Sequence, residues 1–103
     1  MTSQHQELAA GKWFLLTLAE QMGNIGSEVG RTISWRERGN IEYADKAFAR
    51  SLELLDLTLS DERWRGRKRR EIARARESWC ESFQPGNAER GSDVALSRYF
   101  TAF

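Results

Sequence analysis

Apolar residues recur along the first third of the chain at steps of three and four, the spacing that keeps side chains on one face of an α-helix. The register persists through most of this segment and predicts one long helix over residues 6–37. The positions in this apolar seam are Leu8, Leu15, Leu18, Met22, Ile25 and Val29. No segment shows sustained alternation of apolar and polar residues, so the pattern predicts no strands.

A line of small residues runs beside this seam, at Ala19, Gly23, Gly26, Gly30 and Ser34. A glycine inside a helix costs about 1 kcal/mol relative to alanine. Several glycines in one helix therefore need a reason, and close approach of another backbone is such a reason. The line predicts a tightly crossing partner helix. The alternative is a break near Gly23 or Gly26 that gives two shorter helices.

Glycine and asparagine mark the next boundary. Gly39 is expected to end the first helix and Asn40 to cap the second, over residues 41–59. The core face of this second helix is predicted at Ile41, Ala44, Phe48, Leu52, Leu55 and Leu59.

Two further helices complete the chain. Ser60 and Asp61 predict the start of a third helix over residues 62–83. A short C-terminal helix is predicted over residues 93–102. The result is an all-α fold, an up-down helical bundle, in a single domain spanning residues 1–103.

Composition supports one folded domain. The chain has 103 residues, of which 40% are hydrophobic and 30% charged, a mixture that excludes a disordered chain. It contains no apolar run long enough to span a membrane and shows no signal peptide. The single cysteine, Cys80, cannot form an internal disulfide, so we expect a cytoplasmic protein.

The basic residues are concentrated in one segment. The net charge is +1, yet residues 62–77 hold eight cations and three acids, a local charge of +5. Arg63, Arg67, Arg70 and Arg74 are spaced four, three and four apart, which predicts a stripe on one helix face. Such a stripe can follow nucleic-acid phosphates, and Trp64 lies close enough to stack on an unpaired base.

Internal pairing is the alternative interpretation of this stripe. The second helix carries Glu53 and Asp56 near its end, and Asp61 follows. An antiparallel hairpin brings these acids near the start of the third helix, where they would pair with some of the arginines. Exposed pairs of this kind are worth only about 0–1 kcal/mol each.

Aromatic and polar residues of the first helix predict self-association. Trp13 and Trp35 are placed opposite the apolar seam, and a long helix with apolar groups on two faces is hard to cover in a small chain. We therefore expect a homodimer or higher oligomer. A polar line on the same helix could form an interface network, bind a small ligand or face solvent. The predicted interface residues are Trp13, Glu20, Gly23, Asn24, Gly26, Ser27, Gly30, Arg31 and Trp35.

Residues suited to catalysis or metal binding are scarce. Cys80 has no histidine near it in sequence, and His5 is the sole histidine. Glu77 and Glu81 share a helix face without a histidine beside them, so the ferritin-type ligand pattern is absent. We predict no catalytic residue, no metal and no cofactor.

Three segments of the chain, at residues 23–29, 52–58 and 75–83, resemble small all-helical prokaryotic proteins with no assigned activity. That resemblance implies a helical fold and a prokaryotic origin. In size and helix content the chain is also similar to HEPN domains, which are helical dimers and in many cases RNases. Their motif is an arginine followed after four to six residues by histidine. Here Arg74 is followed after five residues by Cys80, so the resemblance implies a non-catalytic member.

The sequence thus favours a non-enzymatic protein that self-associates and binds nucleic acid or an acidic protein partner through the face from Arg63 to Arg76. One alternative is a HEPN-like, RNA-directed protein or RNase. Another is a protein–protein interaction module that docks a partner helix on Trp13 and Trp35.

Overall fold

The computed structural model describes residues 11–83 and 90–102. This part of the chain contains four α-helices with described bounds, one short 3-10 helix and the helical residues 11–13, and no strand. The elements with described bounds are α1 (Leu18–Glu37), α2 (Ile41–Leu59), the 3-10 helix (Glu62–Trp64), α3 (Arg67–Ser82) and α4 (Arg90–Thr101). The all-α prediction is confirmed.

Each of the four helices packs against two neighbours. Helix α1 packs on α2 and on α4, and α3 completes the arrangement by packing on the same two helices. Trp13, just before α1, reaches Thr58 near the end of α2, and Trp79 in the last turn of α3 reaches Ser51 in the middle of α2. Gly26 in α1 meets Phe100 near the end of α4.

The first helix is shorter than predicted. Residues 11–13 are helical, but a turn over residues 14–17 separates them from α1. Thr17 caps α1 by accepting a hydrogen bond from the Glu20 backbone N–H, and the Glu20 carboxylate accepts one from the Thr17 backbone N–H. This reciprocal capping box satisfies two backbone donors, which fixes the start of the helix there. Leu15, predicted in the apolar seam, lies in the turn and is 83% exposed. The predicted residues 6–10, with Leu8, lie outside the described residues.

Helix α1 runs unbroken through its glycines, so the alternative of a break at Gly23 or Gly26 is wrong. Its seam from Met22 to Val29 stays in phase and is completely buried. At Gly26, an added Cβ would lie 3.1 Å from both the Phe100 Cβ and the Thr101 Cγ2. The close approach predicted from the small-residue line is therefore made by α4 of the same chain.

Helix α2 has the predicted bounds. Gly39 adopts φ +78°, a conformation that favours glycine, and ends the preceding helical segment. The Asn40 side chain accepts a hydrogen bond from the Tyr43 backbone N–H and caps α2. Ile41, predicted in the core face, is instead 62% exposed because it lies in the first turn, at the edge of the bundle.

The predicted third helix is interrupted near its start. The Asp61 side chain caps only the 3-10 helix, by accepting a hydrogen bond from the Arg63 backbone N–H. Gly66 then adopts φ +92°, ψ −131°, which a non-glycine residue rarely adopts, and α3 begins at Arg67. The prediction of one helix from residue 62 is wrong for this reason. The last helix extends from Arg90 rather than residue 93.

The core lies between all four helices. Its fully buried apolar side chains include Met22, Ile25, Leu55, Ile72, Trp79 and Phe100. Two polar side chains inside it are joined by a hydrogen bond from Trp79 Nε1 to Ser51 Oγ at 2.8 Å. Among the described helices, none combines the length and apolar character required to cross a bilayer.

Candidate functional site

Arg63 is committed to an internal network rather than to the predicted stripe. Its Nε donates to Asp61 Oδ1 at 3.0 Å, and its Nη2 donates to Asp61 Oδ2 and to the Leu16 carbonyl, each at 2.7 Å. Its guanidinium also stands 4.4 Å from the centre of the Trp64 ring. Because Gly66 separates it from α3, the prediction that Arg63 shares one helical stripe with Arg67, Arg70 and Arg74 is wrong.

The network continues into the core through Asp61 and Gln21, which are both buried. Gln21 Nε2 donates to Asp61 Oδ2 at 3.0 Å and to the Trp13 carbonyl at 2.9 Å. Trp64 Nε1 donates in turn to Gln21 Oε1 at 2.8 Å. The hydrogen bond from Arg63 outweighs burial and, with that from Gln21, lowers the pKa of Asp61 to about 2. Trp64 is thus half-buried and tethered, rather than free as a stacking platform.

The first two turns of α3 carry what remains of the predicted basic face. Arg67, Arg70 and Arg74 are exposed and follow one side of the helix, opposite the buried Ile72 and Trp79. We call these three arginines the α3 basic surface, and the exposed Lys68 lies about 100° around the helix from Arg67. None of the four forms an ion pair with a described residue.

Internal pairing accounts for the cations on either side of this surface. Before α3, Arg63 pairs with Asp61 and Arg65 pairs with Glu62. Further along, Arg76 Nε lies 2.9 Å from Asp56 Oδ1. The predicted pairing therefore holds for Asp56 and Asp61, whereas Glu53 forms no such pair within the described part of the chain.

Two of the predicted interface residues, Trp13 and Gly26, are engaged inside the chain. Trp13 is only 5% exposed and donates from Nε1 to Thr58 Oγ1 at 3.0 Å, so the prediction that it stands on an open face is wrong. Gly26 is covered by α4, and Trp35 is half-buried against Tyr43. An added Cβ at Gly23 or Gly30 would meet nothing within 4 Å.

The polar line of α1 is mostly used by the helix itself. Glu20 completes the capping box at Thr17. Asn24 donates from Nδ2 to the Glu20 carbonyl, and Ser27 donates from Oγ to the Gly23 carbonyl. Arg31 differs from these residues, since its Nη1 donates to the buried carboxylate of Glu28 at 2.8 Å.

Arg31 and Glu28 belong to a cleft between α1 and α2. The cleft has a volume of about 350 Å³ and is lined by Glu28, Arg31, Trp35, Tyr43, Lys46, Ala47 and Arg50. Tyr43, Lys46 and Arg50 were not among the predicted site residues. The available signal was the spacing of Tyr43, Lys46 and Arg50 at steps of three and four on α2, which places an aromatic ring and two cations side by side.

Cys80 and the candidate metal ligands are the remaining residues with possible chemistry. Cys80 is half-buried, and its Sγ lies 3.9 Å from Arg76 Nη1. Across the described ranges, no three His, Cys, Asp or Glu side chains converge as metal ligands. His5 lies outside these ranges. Comparison of the chain with protein-family models, with curated proteins and with solved structures finds no match.

Proposed function

We propose that this protein binds nucleic acid through the α3 basic surface. The observation that carries the proposal is the placement of unpaired cations where they do not help the fold. Arg67, Lys68 and Arg70 lie in the first turn of α3, which has no acidic residue and no side-chain cap. The helix macrodipole is positive at that end, so cations there repel both the dipole and one another. A polyanion would relieve this repulsion.

The mode of binding that fits this surface is contact with phosphates. Arginine and lysine side chains on an exposed helix face neutralise backbone charge without reading bases. Base stacking on Trp64 has less support than the sequence suggested. The Arg63 guanidinium lies over the Trp64 ring, and the indole N–H donates a hydrogen bond to Gln21. We therefore expect affinity that depends strongly on salt and weakly on sequence.

The test is binding of the purified protein to labelled single- and double-stranded RNA and DNA at a series of salt concentrations. Contact by all three arginines predicts about 40-fold weaker binding to duplex DNA at 200 mM than at 50 mM salt. The double variant Arg67→Glu with Arg70→Glu should abolish binding. Its matched control is Lys12→Glu with Arg98→Glu, which makes the same charge change at exposed positions outside α3.

Circular dichroism checks that both double variants remain helical. Equal loss of binding in both would mean that overall charge, rather than the α3 basic surface, attracts the nucleic acid. No binding by the unchanged protein at low salt would overturn the proposal. The arginines would then serve an acidic protein partner.

Self-association in the cytoplasm is a second part of the proposal. The single cysteine is compatible with a reducing compartment. A dimer has less support than the sequence suggested, because Trp13 and Gly26 are engaged inside the chain. Light scattering on the binding sample measures the mass directly. A mass near the 11.9 kDa of one chain would overturn the dimer and leave the nucleic-acid proposal standing.

A further inference from the structure

The cleft between α1 and α2 is built around a buried carboxylate. Glu28 is 6% exposed, and burying a charged group is costly unless partners compensate it. Arg31, one turn further along α1, donates to Glu28 Oε2 at 2.8 Å. Arg50 approaches the same oxygen from α2, with its Nη1 at 3.9 Å. One carboxylate therefore holds two guanidinium groups from two helices at the rim of the cleft.

The cations of the cleft outnumber its acid. Arg31, Lys46 and Arg50 contribute three positive charges and Glu28 one negative charge, which leaves a net charge of +2. Both arginine side chains remain more than half exposed despite their contact with Glu28. Lys46 forms no ion pair with the residues that the structure describes. These groups retain N–H donors that face solvent and have no acceptor in the described chain.

Aromatic side chains form the apolar wall of the same cleft. Trp35 and Tyr43 meet edge to face, with their ring centres 4.8 Å apart, and Ala47 lies beside them. Lys46 Nζ stands 5.6 Å from the centre of the Tyr43 ring. A small ligand would thus meet an apolar surface and a cluster of cations within one cleft.

We propose that this cleft binds a phosphate monoester that carries a planar ring, with a nucleoside monophosphate as the representative of the class. A phosphate monoester has a charge close to −2 at pH 7, which balances the net charge of +2 in the cleft. Guanidinium groups bind phosphate through paired N–H donors, and lysine adds a point charge. The ring packs against Trp35 and Tyr43. Glu28 holds the arginines in place and does not contact the phosphate.

The proposal does not depend on nucleic-acid binding by α3. Its test is isothermal titration of the whole protein at low salt with adenosine monophosphate, inorganic phosphate and adenosine. We expect the order of affinity to be monophosphate, then phosphate, then adenosine, because only the monophosphate uses both parts of the cleft. Adenosine binding as tightly as the monophosphate, or no binding by the monophosphate, would overturn the proposal.

A pair of neutral variants locates the site. Lys46→Gln with Arg50→Gln removes two of the three cations and should weaken monophosphate binding at least about tenfold. Lys12→Gln with Arg98→Gln removes two exposed cations elsewhere and should leave it unchanged. Arg67→Glu with Arg70→Glu should also leave it unchanged. Loss of monophosphate binding in that last variant would place the phosphate on α3 and overturn the proposal.

The phosphate could belong to a free small molecule or to the end of a strand. A tetranucleotide with a 5′-phosphate, compared with the same tetranucleotide without it, distinguishes these sources. Tighter binding of the phosphorylated strand, lost in Lys46→Gln with Arg50→Gln, would assign the cleft to strand ends. Equal binding of both strands, with the monophosphate still bound in the cleft, would assign it to small molecules.

Discussion

Asp61 is the residue on which several segments converge. Its carboxylate receives hydrogen bonds from the Arg63 side chain and backbone and from Gln21, and these contacts link the end of α2 to the start of α1. Arg63 extends the link by donating to the Leu16 carbonyl, in the turn before α1. The network therefore secures the segment that interrupts the predicted first helix.

Replacement of Asp61 by asparagine should make the protein less stable and less sensitive to acid. Because the folded-state pKa of Asp61 is about 2 and its ordinary value 3.8, its contribution is complete above pH 3.8 and is lost as the pH falls through 2. Arg63 is partly exposed, so solvent screens the pair and we expect a loss of about 1–2 kcal/mol at pH 7.

Urea unfolding at pH 7 and near pH 2 measures this difference. Asp45→Asn is the matched control, since Asp45 is exposed and forms no ion pair with a described residue. The difference in unfolding free energy between the Asp61→Asn variant and the unchanged protein should be smaller near pH 2 than at pH 7. An equal loss of stability in both variants at pH 7 would contradict a special role for Asp61.

At the scale of the helix, the glycines of α1 have different neighbours although they share one line. A Cβ at Gly23 would meet no other atom within 4 Å, and alanine has a higher helix propensity than glycine. We therefore expect Gly23→Ala to stabilise the protein by about 0.5–1 kcal/mol. Gly26→Leu should destabilise it, because its side chain would displace Phe100 and with it α4. Thermal unfolding of both variants checks this contrast. Equal melting temperatures would show that α4 does not pack closely at Gly26.

Helix periodicity was sufficient to predict most of the elements. The seam from Met22 to Val29 and the boundary at Gly39 and Asn40 rest on local spacing and local turn chemistry, and both are confirmed. The start of α1 also had a local signal, since Thr17 and Glu20 have the spacing of a capping box. The apolar seam masked it because Leu15 fits the heptad pattern equally well.

The candidate site was less predictable because its charges depend on neighbours from other helices. Spacing alone placed Arg63 with Arg67, but the backbone at Gly66 and the carboxylate of Asp61 separate them. Likewise Trp13 was expected on an open face. Its Nε1–H instead donates in the core to Thr58, which is distant in sequence. Local patterns do not specify such partners.

At the scale of the molecule, α4 closes the bundle. It packs on both α1 and α3, which are otherwise linked mainly through α2, and it contributes Phe100 to the core between them. The tight contact at Gly26 and the complete burial of Phe100 show that α4 is part of the folded domain rather than an appendage.

Removal of the Phe100 side chain should therefore destabilise the whole fold. Truncation of a buried phenylalanine costs about 3–5 kcal/mol, against a total stability of about 5–15 kcal/mol for most domains. We expect Phe100→Ala to lower the free energy of unfolding by that amount and to disrupt the packing of α1 against α3 as well as of α4. Phe14→Ala is the control, because Phe14 is exposed in the turn before α1 and should change stability by less than about 1 kcal/mol. Urea unfolding followed by circular dichroism compares the two. A small effect of Phe100→Ala would mean that the other three helices hold the core without α4.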